Sequence, residues 1–113
     1  MKKMLPSILV LVLFFGCAAA PRGPELLDSG VRFTLHAPSA KSVAISGSFN
    51  RWDRHGQALI GPDRRGVWSI TLPLVPGRYE YAFIMDGAVW LSDPAAPFLD
   101  DGFGGKNSIV EVR

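Results

Sequence analysis

Cysteine is nearly absent. Cys17 is the only one in 113 residues, which excludes an internal disulfide framework. Histidine is scarce as well: His36 and His55 are too few for an all-histidine metal site, and neither stands in a Ser or Cys arrangement that suggests a nucleophile. The length excludes a large multidomain enzyme. A helical period is missing from everything after residue 30. An excess of one charge is missing too. The formal net charge of +2 comes from Lys2 and Lys3, and without residues 1–16 ten basic side chains balance ten acidic ones. No basic footprint for nucleic acid remains. Arg51, Arg54, Arg64, Arg65 and Arg78 are scattered around loops and offset by Glu80, Asp86, Asp93, Asp100 and Asp101.

What is there begins with a leader. Lys2 and Lys3 precede the uncharged run Leu5 to Phe15, followed by Gly16 and Cys17. That order reads as a secretory signal over residues 1–16. The apolar run is shorter than the about 20 residues a helix needs to cross a bilayer, and it contains Pro6. Phe14-Phe15-Gly16-Cys17 resembles the lipobox of bacterial lipoproteins, which implies acylation of the Cys17 sulfur and a new N-terminus there. Several acyl chains, each buried methylene contributing about 0.8 kcal/mol, would hold the chain to a membrane. By the same analogy Ala18 implies the outer membrane in a cell that has two. The alternative is an ordinary cut within Gly16 to Ala20 and a soluble secreted protein. Residues 17–30 carry prolines and glycines without a sustained period, so a flexible tether is expected, with Glu25, Leu26 and Leu27 available for a short turn against the domain.

From residue 31 to 113 the apolar pattern has period two. Val31, Phe33 and Leu35 form one row, Val43 and Ile45 a second, Trp68, Ile70 and Leu72 a third, and Tyr79, Tyr81, Phe83 and Met85 a fourth. Alternate strand residues point to opposite faces, so each row nominates core residues. Ala37-Pro38-Ser39, Gly61-Pro62-Asp63 and Pro76-Gly77 are turn chemistry, and Asp86-Gly87 is a hairpin signal because both residues tolerate positive φ. Short strands at this spacing predict an all-β sandwich or barrel.

Ser46-Gly47-Ser48-Phe49-Asn50-Arg51-Trp52 is the most distinctive stretch. With Tyr79-Glu80-Tyr81-Ala82-Phe83, Asp86-Gly87, Trp90, Asp93-Pro94 and the tail Gly104 to Val110, it resembles the glycogen-binding domain of AMP-activated kinase β subunits. That family includes family 48 carbohydrate-binding modules and the early-set domains before isoamylase and branching-enzyme barrels. The resemblance implies an immunoglobulin-like, early-set β-sandwich that binds an α-1,4-glucan or related oligosaccharide. It implies two stacking platforms at Trp52 and Trp90, a ring-threading residue at Phe103 and a hydrogen-bonding amide at Asn107. A flat indole can cover the apolar face of a pyranose, while a few placed polar groups meet its hydroxyls. This chain departs from the family pattern at Ala82, where the family has a lysine, and at Gly105, where it has a threonine. Trp90 also falls one residue late, and one extra residue on a strand reverses the face unless a bulge absorbs it.

Other readings of the same residues stand beside these. A loop Trp such as Trp52 can plug one end of a sandwich, and Asn50 suits a turn in which it bonds its own backbone. Trp68, in phase with Ile70 and Leu72, is expected in the core. Asp100-Asp101-Gly102 looks like a fragment of a calcium loop, but no regular carboxylate spacing follows, so a solvated loop is expected. No metal or cofactor is expected. Glycosidases need a paired acid and base set in a cleft, and a small sandwich offers no obvious one, so binding without catalysis is the expectation. The competing expectation is a protein-interaction module that keeps the sandwich and has lost the sugar, or an accessory to a separate glucan-active enzyme.

Overall fold

The computed structural model describes residues 23–113. The expected leader, Cys17 and the first part of the tether lie outside the described residues. Among those described, the strands are β1 (Glu25–Leu27), β2 (Gly30–His36), β3 (Val43–Gly47), β4 (Gln57–Ala58), β5 (Val67–Leu72), β6 (Gly77–Met85), β7 (Val89–Leu91), β8 (Phe98–Asp100) and β9 (Lys106–Val112). They form two antiparallel sheets. One has the order β1-β2-β5; the other runs β4-β3-β6-β9-β8, with β7 also on β6. The protein is an all-β sandwich, as the alternation predicts, and immunoglobulin-like, as the family resemblance implies.

The four apolar rows meet between the sheets. Phe33, Ile45, Tyr81 and Phe83 are fully buried, and Ile70, Tyr79 and Met85 pack against them half-buried. Ring centroids of Phe33 and Tyr81 lie 4.9 Å apart at 67°, an edge-to-face contact that the ring quadrupoles favour. Trp68 is core as expected. Its Nε1–H donates to the Ala37 carbonyl at 2.9 Å, so the buried indole is satisfied.

One segment departs from the expectation. Residues 25–30 lie in the stretch read as tether, yet β1 pairs with β2 through Leu26↔Val31 and Leu27↔Gly30. The tight return needs Gly30, whose φ is 145° and whose position would drive a Cβ into the Leu72 carbonyl oxygen. Pro24, one of the prolines that suggested a tether, precedes this hairpin and leaves its ladder intact.

Candidate functional site on the outward face of the larger sheet

Strand β6 organises the site. Its core row leaves Glu80, Ala82 and Ile84 on the opposite, outward face. One edge of β6 pairs with β3 over residues 81–85. The other edge changes partner: β9 covers residues 77–81 and β7 covers 83–85. The hand-over falls at Ala82, and a cleft of about 480 Å³ opens there, bordered by Ala82, Trp90, Asp101, Gly105 and Asn107.

Trp90 reaches that cleft because the extra residue is absorbed next to the turn. Asp86 and Gly87 both take positive φ, 55° and 73°, and the Ala88 amide donates to the Met85 carbonyl at 3.1 Å. The Asp86 carboxylate fixes the turn by accepting from the Lys41 and Ser42 amides at 2.7 and 3.2 Å. Ala88 then stands outside the ladder, which resumes at Met85↔Val89, so Trp90 pairs with Ile84. Paired residues share a face, which puts Trp90 outward, with Ala82 and Asn107. Ile84 is only 2% exposed although it faces outward. Its partners in register are Ala44 and Trp90. Of the two, Trp90 is the larger, and at 47% exposed it stands beside Ile84 on the outward face.

Trp52 stands across β6 from Trp90. After β3 the chain makes a 3-10 turn, Ser48–Asn50, and then takes two successive left-handed residues, Arg51 (φ 59°) and Trp52 (φ 55°). Asn50 builds this turn, as its turn reading anticipates. Its Oδ1 accepts from the Gly47 amide at 2.9 Å, and its Nδ2 donates to the Ile45 carbonyl at 3.2 Å and to Gln57 Oε1 at 3.3 Å. The Trp52 amide donates to the Gly47 carbonyl at 2.8 Å, and the side chain is 37% exposed. Left-handed φ at a bulky residue costs about 1–2 kcal/mol, held here by Asn50 and Gly47. Trp52 is not among the residues that border the cleft.

Asn107 lies on β9 and borders the cleft, with its Nδ2 donating to Glu80 Oε1 at 3.1 Å. Phe103 sits on the loop before β9. Asp101 shapes that loop: its Oδ1 accepts from the Phe103 and Gly105 amides at 2.7 and 2.9 Å. Asp100 accepts from the Gly102 amide at 2.9 Å. These two carboxylates therefore serve loop geometry. Gly104 and Gly105 border the cleft, whereas the Phe103 side chain is 94% exposed and does not. The structure thus brings Trp90, Asn107, Ala82 and Gly105 to one place, with Trp52 and Phe103 set apart from it.

Sequence reasoning missed what lies beneath. Asp93 is 4% exposed. Its Oδ2 accepts from the Tyr81 hydroxyl at 2.7 Å, its Oδ1 accepts from the Ala95 amide at 2.9 Å, and its own amide donates to Ser108 Oγ at 2.6 Å. This buried network ties β6, the β7–β8 connection and β9 together below Ala82, Trp90 and Asn107. Burial pushes the Asp93 carboxyl above the ordinary carboxylate value, with the bonds from Tyr81 and Ala95 working in the opposite direction. Burial also raises the Tyr81 phenol, and the neighbouring carboxylate adds to it.

Residues 31–113 match the family described as the glycogen recognition site of AMP-activated protein kinase. The chain belongs to this family. Its curated relatives include the chloroplastic protein Floury endosperm 6 of Oryza sativa subsp. japonica, 40% identical over 73 residues. That match covers 65% of this chain and 13% of the relative. A 1,4-alpha-glucan branching enzyme of Bacillus cereus (strain AH820) is 33% identical over 75 residues, covering 63% of this chain and 12% of the enzyme. One from Nitrosospira multiformis is 40% identical over 73 residues, covering 60% and 10%. The chain spans about an eighth or less of the length of these relatives. What it shares with them is the glycogen-recognition domain, a carbohydrate-binding module.

Proposed function

We propose that the module binds an α-1,4-glucan or a related oligosaccharide without cleaving it, using Trp52 and Trp90 as stacking platforms. The observation that carries this reading is the joint placement of Trp90 and Asn107 at one outward cleft, in a chain of the glycogen-recognition family. The relatives named as 1,4-alpha-glucan branching enzymes point to the same class of sugar. Stacking on the C–H face of a glucose ring supplies apolar contact, and Asn107 supplies a polar one. In this reading Phe103, exposed on the loop that also carries the cleft-lining Gly104 and Gly105, supplies a further apolar contact to the sugar. Ala82 and Gly105 contribute no side-chain hydrogen bond, so the affinity expected is weak.

The full chain, kept in mild detergent, should be retarded in a native gel containing glycogen relative to a gel without it. Normal migration of the folded chain would remove the glucan reading and favour a protein-interaction module. For the leader, the proposal is a lipid anchor on Cys17 that holds the module in the cell envelope. Dense copies on one surface would then raise the effective concentration for a branched ligand. Radiolabelled palmitate should be incorporated by the wild type and not by Cys17→Ala. Label retained in the variant would overturn the assignment to Cys17, and an unlabelled wild type would remove the anchor.

A further inference from the structure

Glu80 occupies the middle of the outward face with no assigned role. On β6 it directly precedes Tyr81, which pairs with Gly47 on one side and Ser108 on the other. Trp52 is bonded to Gly47, and Asn107 is the residue before Ser108. Glu80 therefore stands between the Trp52 turn and Asn107, two residues from Ala82 and on the same face of the strand.

The side chain is held in place. Ser48 Oγ accepts from the Glu80 amide at 3.1 Å and donates to its carbonyl at 3.5 Å, which pins the backbone from the β3 side. The Asn107 amide holds Oε1 from the β9 side. Oε2 has no partner among the described residues, and no Lys or Arg there pairs with this carboxylate. The other charged groups beside the cleft are engaged: Asp101 shapes its own loop, and the Lys106 ammonium lies 4.7 Å from the Phe98 ring centroid. A half-buried carboxylate fixed from two sides, with one oxygen open, is preorganised to accept hydrogen bonds.

We infer that Glu80 is a ligand-contacting residue, whose Oε2 accepts hydrogen bonds from the glucan hydroxyls between the Trp52 turn and the Trp90 cleft. This inference rests on the glucan reading above. Hydroxyl donors gain a charge-assisted bond, roughly twice as strong as a neutral one. The same charge selects the substrate class: neutral glucans are accepted, and phosphorylated glucans are opposed by like charge.

Glu80→Gln tests this on the full chain by titration with maltoheptaose and with a phosphorylated maltodextrin of similar length. Glutamine keeps an acceptor for the Asn107 amide while removing the charge. The variant should bind maltoheptaose about 5–10-fold more weakly. The wild-type preference for the neutral over the phosphorylated probe should shrink in the variant by a similar factor. Wild-type affinity for maltoheptaose in Glu80→Gln would overturn the contact. Equal losses for both probes would assign Glu80 to holding Asn107 alone and also overturn it. A wild type that binds neither probe would remove the glucan reading itself, a result distinct from either of these.

Discussion

Asp93→Ala should cost about 2–3 kcal/mol of stability, read as a fall in Tm of roughly 10–20 °C for a domain of this size. The substitution leaves a buried phenol hydroxyl on Tyr81 without its acceptor and frees the Ala95 amide. Ala95 is exposed and can turn to water; Tyr81 is fully buried and cannot. Most of the loss therefore comes from Tyr81, so Tyr81→Phe on top of Asp93→Ala should add less than it costs alone. Additive losses would show that the two groups do not act as a unit.

The same residue imposes a pH dependence whose sign follows from its burial. In the folded protein Asp93 holds its proton to higher pH than in the unfolded chain. Between the unfolded and folded values the native state binds the extra proton, so this contribution is fully present below the unfolded value. It is lost as pH rises through the folded one. Asp63 has the opposite sign: amide bonds from Val67 and Arg65 lower its carboxyl. The Asp93 part is isolated by subtracting the stability of Asp93→Asn from that of the wild type at each pH. The difference should fall toward higher pH, and a flat difference would contradict the raised carboxyl.

The largest functional loss is expected at the two tryptophans. Removing one platform should weaken glycogen retention about 30-fold, corresponding to about 2 kcal/mol, and removing both should abolish it. The substitutions must differ, because the two positions differ in backbone and in their neighbours. Trp52 sits at φ 55°, a conformation glycine adopts without strain. Trp52→Gly therefore relieves strain that offsets part of the apolar burial it removes, and its retention is compared with the wild type at a temperature where both are folded, which separates function from stability. Trp90 pairs with the buried Ile84 on the same face, so Trp90→Ala should also lower Tm. Trp90→Leu keeps an apolar side chain without a flat platform and is the control for that loss. Full retention by Trp52→Gly would make Trp52 a structural plug. Full retention by Trp90→Leu would place the sugar elsewhere.

The sandwich was legible because its signal is local. Each core row is a run of alternating residues, and Phe33, Ile45, Trp68 and Tyr81 all fall where period two puts them. The Asp86-Gly87 turn was legible for the same reason, since positive φ selects those residue types. The side to which Trp90 points was not, because it depends on whether Ala88 joins the ladder, and both outcomes satisfy the sequence pattern. The outward face was least legible. Alternation names the buried row and leaves Ser46, Ala82 and Ile84 as solvent-facing by default, yet all three are buried. Asp93 reads as an ordinary turn residue before Pro94, and its partners Tyr81 and Ser108 are 12 and 15 positions away. The strand at residues 25–27 was masked by nearby Pro24, which lies outside its ladder.

The change of partner along β6 has an evolutionary consequence. Trp90 and Asn107 are carried by two segments that meet the same strand but do not pair with each other. Insertions or deletions in the 86–88 turn can retune the platform while the β9 ladder stays in register. Substitutions on β9 can retune polar recognition without disturbing that turn. If the module binds glucan as proposed, grip and selectivity are separable traits, each open to drift or selection while the other is maintained.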